Sequence, residues 1–242
     1  GMVKKTELWD YRNVHSGGII AINLKEGDEL VSVRLSNGDE QIFMATKHGQ
    51  AIRFDEDDAR AMGRVTSGVI GIRFKEEDDE LVGMEVIPDE HEELSILNIT
   101  ENGYGKRTLI DEYPLQGRGG SGVITMKVSD KNGELVGARL VHDDNELMLI
   151  TDRGQILRTR VEEISVYSRN TQGVKVMVTD PDEHVVSIAR LEETEETDGE
   201  DAEGDEADSG QAPAESDDEP GEAAGTSADE TDRVDTEDAS DE

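Results

Sequence analysis

Gly122-Val-Ile-Thr-Met126 is one of four copies of the same short phrase. The others are Gly18-Ile-Ile-Ala-Ile22, Gly68-Val-Ile-Gly-Ile72 and Gly173-Val-Lys-Val-Met177, at successive spacings of 50, 54 and 51 residues. A second phrase keeps step: Leu30-Val-Ser-Val33, Leu81-Val-Gly-Met84, Leu135-Val-Gly-Ala138 and Val185-Val-Ser-Ile188. A third occurs as Ile42-Phe-Met-Ala-Thr46, Ile96-Leu-Asn-Ile-Thr100 and Leu147-Met-Leu-Ile-Thr151, each running into a glycine turn. A short basic segment follows each turn: Ala51-Ile-Arg-Phe54, Gly105-Lys-Arg-Thr108 and Ile156-Leu-Arg-Thr159. The opening Gly1-Met-Val-Lys-Lys-Thr6 fits that last position.

These runs are short and rich in Val, Ile and Leu, which suits strands. Asn37-Gly38, Asn102-Gly103 and Asn132-Gly133 supply the positive-φ pairs that tight hairpins need. Helix signals are weak, amounting to a turn or so at 55–62 and at 160–165. Four strands per period of about 50 residues predict an all-β, propeller-like array of about four four-stranded blades. The fourth repeat has no apolar strand after Ile188, and residue 1 falls inside a repeat. The chain is therefore expected to be the C-terminal part of something longer, with open edges where blades are missing.

Charge divides the chain. It carries 24 Lys+Arg against 59 Asp+Glu, a formal charge of −35. Residues 192–242 hold 24 of the acids and one base, Arg233, and almost no large apolar residue. Such a segment buries too little surface to offset its conformational entropy, so a disordered acidic tail is expected there. Residues 1–191 keep a net −12 and can bury a sizeable core. There is no cysteine, hence no disulfide frame and no thiolate site. No apolar run approaches the ~18 residues of a membrane helix, and the first residues lack the core of a signal peptide. A cytoplasmic protein is expected. The acids cluster in turns, at Asp55–Asp58, Glu76–Glu80, Asp89–Glu93 and Asp143–Glu146. That distribution suggests adaptation to a high-salt cytoplasm, where hydrated carboxylates maintain solubility.

The bases recur in register despite the negative balance. Lys4 and Lys5, Arg53, Lys106 and Arg107, and Arg158 with Arg160 share one repeat position. Arg64, Arg118 and Arg169 each stand four residues before the glycine that opens the next phrase, where the first repeat has Val14. Equivalent positions of a radial array lie at equal radius, so these residues are expected to form a positive stripe. A curved stripe of Lys and Arg can bend duplex DNA through its phosphates without reading bases. Gly117, Gly119, Gly120 and Gly122 would let backbone N–H groups approach a phosphate. The competing reading makes the same bases ordinary edge-strand charges that block stray pairing.

Other signals carry less. Gly117-x-Gly119-x-x-Gly122 has the letters of a dinucleotide fingerprint but opens a Val-Ile strand rather than a helix. Val123 stands where a P-loop needs lysine. His15, His48, His91, His142 and His184 are scattered in expected turns without metal spacing. Trp9, Tyr11, Tyr104, Tyr113 and Tyr167 are expected to pack in the core or between blades. No nucleophile stands beside a base, so no catalytic residue and no metal site is expected.

Several of these stretches together closely resemble a known family. Thr100-Glu-Asn-Gly-Tyr-Gly-Lys-Arg-Thr108, Asp111-Glu-Tyr113 and Gln116-Gly-Arg-Gly-Gly-Ser-Gly-Val-Ile-Thr-Met126 resemble the C-terminal domain of the DNA gyrase A subunit. So do Val3–Thr6, Gly17–Ile22, Met62–Arg64, Glu163-Ile164 and Asn170–Gly173. The resemblance covers residues 1 to about 191 and implies a six-bladed β-pinwheel, of which this chain holds roughly the last four blades. It implies that blades exchange strands and that DNA bends around a basic rim. It further implies a role in an ATP-dependent type II topoisomerase that introduces negative supercoils. The rest of the gyrase A subunit, with the DNA-cleaving tyrosine, and the gyrase B subunit would be partners in a heterotetramer. ATP and Mg would be bound by those other parts, leaving this chain without a cofactor. Gln116, Gly117, Arg118, Gly119, Gly120, Ser121 and Gly122 match the family's wrapping signature only in degenerate form, with Gly117 and Ser121 where the signature has bases. The equivalent domain of topoisomerase IV is the alternative within the family. A propeller-type protein-interaction scaffold is the alternative of another class.

Overall fold

Each apolar phrase and the basic segment after it form an antiparallel hairpin closed by a glycine turn. In the computed structural model, which describes residues 1–191, the hairpins are β2 (Gln41–Thr46) with β3 (Gln50–Asp55), β6 (Ser95–Thr100) with β7 (Tyr104–Leu109), and β10 (Glu146–Thr151) with β11 (Ile156–Arg160). The Leu-Val phrases become β5 (Leu81–Ile87), β9 (Leu135–Val141) and β13 (Val185–Leu191). They pair antiparallel with the free side of β2, β6 and β10. All three pairings shift register at the same repeat position, before Thr46, Thr100 and Thr151.

The glycine-led phrases contribute β4 (Val69–Ile70), β8 (Val123–Ile124) and β12 (Val174–Lys175). None of them pairs with the hairpin that precedes it. Each reaches back one repeat: β4 to β1 (Met2–Val3), β8 to β3 and β12 to β7. The blades of β2-β3 and β6-β7 are therefore each completed by a strand from the next repeat, as β1 is joined by β4. Gly68, Gly122 and Gly173 make the approach possible. Their φ values are +83°, +65° and +70°, and a Cβ on any of them would collide with the carbonyl oxygen of Val3, Ala51 or Gly105.

The sheets are β5-β2-β3-β8, β9-β6-β7-β12, β13-β10-β11 and β1-β4. The all-β array is thus as expected, but only two of its sheets have four strands. The segments 18–22 and 30–33, expected as strands, form none. By the register of the later repeats they need a basic strand and an apolar strand as ladder partners, and no described residues supply either. Short 3-10 turns stand at Leu8–Tyr11, Glu56–Asp58, Ile110–Glu112 and Val161–Glu163. The second and fourth fall where helical turns were expected. The other two carry no periodicity that a three-residue turn could show. The expected acidic tail, 192–242, lies outside the described residues.

Apolar side chains pack between neighbouring sheets. Phe43, Ala45, Ala51 and Ile87 meet Ile96, Ile110, Tyr113, Ala138 and Leu140 in one layer. Leu97, Ile99 and Val141 meet Leu147, Leu149, Val161, Ile164 and Ile188 in the next. Tyr113 packs edge-on against Phe43 and shares its hydroxyl with Thr125, 2.6 Å away. Trp9, expected to pack, is instead exposed and covered only by the Arg12 guanidinium.

Gly122→Ala should cost at least about 1–2 kcal/mol for left-handed backbone alone, with the collision adding to it. Gly117→Ala, with nothing near its added Cβ, should stay within about 0.5 kcal/mol. Urea titration of the two variants makes the comparison.

Candidate nucleic-acid interface

The basic strands turn most of their charge inward. Arg53 is buried on β3, where Nη1 donates to the carbonyls of Ile110 (3.1 Å) and Tyr113 (3.2 Å). Arg107, its counterpart on β7, donates from Nε to the Ile164 carbonyl at 2.5 Å and from Nη1 to Asp143. Each arginine thus grips the 3-10 turn of the following repeat. Arg53 also faces His91 and bonds Gln41 (2.5 Å). Lys5 holds the corresponding place before β3 and pairs with Asp57 at 3.1 Å.

Lys106 is fully buried, with Nζ donating to the carbonyls of Ser168 and Arg169, both at 2.6 Å. Burial, the largest cause, lowers its pKa from 10.5 to about 8; Glu112 opposes the shift and Arg169 adds to it. Lys4, two joints earlier, donates likewise to the carbonyl of Arg64, the equivalent of Arg169, and also to that of Ala21, both at 2.5 Å. Its pKa is also lowered, by burial and then by Arg64. The expectation of a solvent-facing stripe on the basic strands is therefore corrected for Lys4, Arg53, Lys106 and Arg107. Buried polar groups need partners, and these cations satisfy carbonyls that no strand reaches. Arg158 and Arg160 do face solvent, each paired with a glutamate, Glu146 and Glu162.

A different row of cations is left open. Arg64 donates to the carbonyl of Ile20 (2.9 Å), Arg118 to that of Ile70 (2.8 Å) and Arg169 to that of Ile124 (3.1 Å). These are equivalent atoms in successive repeats. The N–H of Asn23, Arg73 and Lys127 then donates to Thr66, Gly120 and Thr171 at 3.1, 2.9 and 2.9 Å. The glycine-led segments thus touch in series as a continuous belt. Arg64, Arg73, Arg118, Lys127 and Arg169 lie along it, and none forms an ion pair among the described residues. Each guanidinium of the Arg64 set spends part of its donor fork on the belt and keeps the remainder. Arg73 and Lys127 escaped sequence reasoning. The signal was their shared place five residues after Gly68 and Gly122, which Asn23 and Val178 break.

The glycines of 116–122 are less available than expected. Gln116 N–H donates to Arg53 (2.8 Å), Gly119 N–H to Gly71 (2.6 Å) and Arg118 N–H to the Asp58 carboxylate (3.2 Å). That stretch holds the belt to the preceding repeat. His48, Glu76 and Asp78 bring donor atoms within 4.8 Å of one another, so three scattered sequence positions meet as a possible cation cluster. Both carboxylates are exposed, and His48 also faces Glu134 of the next blade at 3.6 Å. No described helix is long and apolar enough to cross a membrane.

A family model described as "DNA gyrase C-terminal domain, beta-propeller" matches residues 1–37, 40–88, 95–142 and 145–192. The chain belongs to the DNA gyrase C-terminal domain family. The DNA gyrase A subunit of Deinococcus deserti is 48% identical over 188 residues, covering 77% of this chain and 23% of that protein. Its Escherichia coli K12 equivalent is 45% identical over 193 residues, covering 80% and 22%. The chain therefore spans less than a quarter of the curated relatives it matches. Among solved structures, a DNA topoisomerase IV C-terminal domain aligns with TM-score 0.74 at 28% identity, covering 79% of this chain and 59% of that one. A DNA gyrase A C-terminal domain aligns with TM-score 0.65 at 30% identity, covering 72% and 58%. The repeat found in the sequence is the gyrase-type blade.

Arg53→Ala should cost about 1–3 kcal/mol, since it removes the side-chain donor to the buried Tyr113 carbonyl and one of two donors to that of Ile110. Lys106 gives a pH signature. Between about pH 8 and pH 10.5 the folded chain has released a proton that the unfolded chain retains, so stability should rise with pH through that window. Urea midpoints at neutral and alkaline pH should show the rise in the parent chain and not in Lys106→Met.

Proposed function

We propose that the belt of Arg64, Arg73, Arg118, Lys127 and Arg169 binds the phosphates of duplex DNA without base preference and bends the duplex along the array. The observation that carries this reading is a row of unpaired cations at matched register in a body of net charge −12. A chain so rich in carboxylate neutralises Lys5, Arg107, Arg158 and Arg160, yet leaves the belt open. Phosphate groups fit such sites, and an arginine fork can bridge two phosphate oxygens.

Within the family, we infer a role as the DNA-wrapping end of the gyrase A subunit in a cytoplasmic ATP-dependent topoisomerase. The remainder of that subunit would supply the cleaving tyrosine. The gyrase B subunit, with ATP and Mg, would drive strand passage toward negative supercoils. A topoisomerase IV-type role is the second reading. It is favoured by the TM-score of 0.74 to such a domain and by the degenerate signature at Gln116–Gly122. The acidic turns further support a protein suited to high salt, where geometry counts for more than bulk charge. A thermal melt equally high in dilute buffer and in molar salt would contradict that suggestion.

Alanine at all five belt positions should flatten the plot of log affinity against log salt by roughly 0.9 for each phosphate no longer neutralised. Alanine at Arg158 and Arg160 should leave the slope unchanged. Fluorescence anisotropy with a duplex of mixed sequence measures both. A slope untouched by the belt substitutions would defeat the proposal.

A further inference from the structure

The turns at one end of the β2-β3 blade hold a side-chain cluster that the belt does not use. His48 stands in the turn between β2 and β3, and Glu76 and Asp78 stand in the turn before β5. One nitrogen of His48 and one oxygen of each carboxylate lie within 4.8 Å of one another. His48 Nδ1 is 3.0 Å from Glu76, while Nε2 is 3.9 Å from Asp78 and 3.6 Å from Glu134 of the next blade.

The backbone sets up this meeting. The buried Asp79 carboxylate accepts from the N–H of His48 at 2.9 Å and from that of Glu80 at 3.0 Å. Lys47 N–H donates to the Glu80 carbonyl, and the Lys47 carbonyl accepts from Leu135 N–H, both at 2.8 Å. The two turns and the start of β9 are thus joined whatever the cluster's own side chains do.

Two features separate this cluster from the solvated acids of other turns. His48 Nδ1 is shut off from solvent and makes no hydrogen bond, despite the Glu76 oxygen beside it. Glu76 and Asp78 pair with no lysine or arginine among the described residues, although their oxygens approach each other. A shielded polar nitrogen without a partner is rare, and neighbouring carboxylates repel. A cation held among the three groups would answer both. The blade itself does not require the imidazole, since Asn102 and Arg153 stand in its place in the next two repeats.

We propose that His48, Glu76 and Asp78 bind one zinc ion, with Glu134 as a fourth ligand from the next blade. Nitrogen and oxygen ligands of one tetrahedral zinc, each about 2.0–2.2 Å from it, stand about 3.3–3.5 Å apart. Small side-chain rotations bring the observed spacings to that value. Imidazole beside carboxylate suits zinc better than calcium or magnesium, which take oxygen ligands. Glu134 is half-exposed and only loosely paired with Lys47, at 3.8 Å, so it is free to turn. The bound ion would clip the β2–β3 turn to the turn before β5 and to the segment entering β9.

The test is calorimetric titration of Zn2+ alone into the full chain, with visible absorption of the Co2+ form as a second readout. The wild type should bind one equivalent tightly, above a weak background from its many other carboxylates, and Co2+ should give the intense bands of a tetrahedral site. His48→Ala should weaken the tight equivalent by at least about tenfold, the loss seen even for changes outside the ligand shell. The double variant Glu76→Gln, Asp78→Asn should do the same, and its exposed side chains make a folding defect no explanation. His142→Ala should bind as the wild type, because Glu93 and Asp144 face opposite nitrogens of that ring. A His48→Ala chain that titrates like the wild type overturns the proposal. So does displacement of the tight zinc by an equal concentration of Mg2+, or a wild type that shows the weak background alone.

Discussion

A β-strand at the margin of a sheet presents a row of unpaired donors and acceptors, and the inner hairpins here would each have one. The outer sides of β3 and β7 are instead filled by the next repeat, through β8 and β12 and the parallel bridges at Arg53 and Arg107. Much else follows from that exchange. The glycine that opens each returning segment must lie against a carbonyl, and the linker between hairpin and return must reach back a full repeat. The 3-10 turn at the start of the linker is therefore delivered beneath the preceding blade, where an arginine holds it. Blades built in this way do not close on themselves, so the core lies between sheets as much as within them.

Electrostatics divides the cations into two kinds by what surrounds them. Arg53, Lys106 and Arg107 are enclosed among main-chain carbonyls, where a positive charge replaces the hydrogen bonds that water would have made. Lys106 records the cost in a pKa lowered to about 8. Blade-to-blade variation shows that the lysine is one solution among several, since Ile52 holds its place on β3. The belt cations lie on extended segments at the surface. Arg64, Arg118 and Arg169 donate to carbonyls of the preceding repeat and Arg73 to Gly119 of the following one, which orients these guanidinium groups while leaving most of their charge uncompensated. The same hydrogen bonds that join the blades thus set the spacing of the open charges.

The acidic surplus gives that arrangement its meaning. Carboxylates in the turns neutralise nearly every exposed base on the hairpins, which suppresses indiscriminate attraction of polyanions. Under the proposed function, a phosphate chain would be bound only where geometry presents several cations at once, which confines affinity to the belt.

Period and phrase order were legible in the sequence because every repeat must solve the same pairing problem with the same residue types. Asn102-Gly103 and the apolar phrases around it specify a hairpin locally, and four glycines 50 to 54 residues apart mark where one segment meets another. The recurrence of Arg64, Arg118 and Arg169 was visible for the same reason. Which cations face water was not. Arg53 and Arg158 occupy identical repeat positions, yet one is buried and the other exposed, because burial depends on whether a following repeat covers the site. Nor could alternation in the chain reveal that 18–22 would lack a ladder. A strand exists only when another strand is beside it, and that neighbour is chosen by tertiary structure.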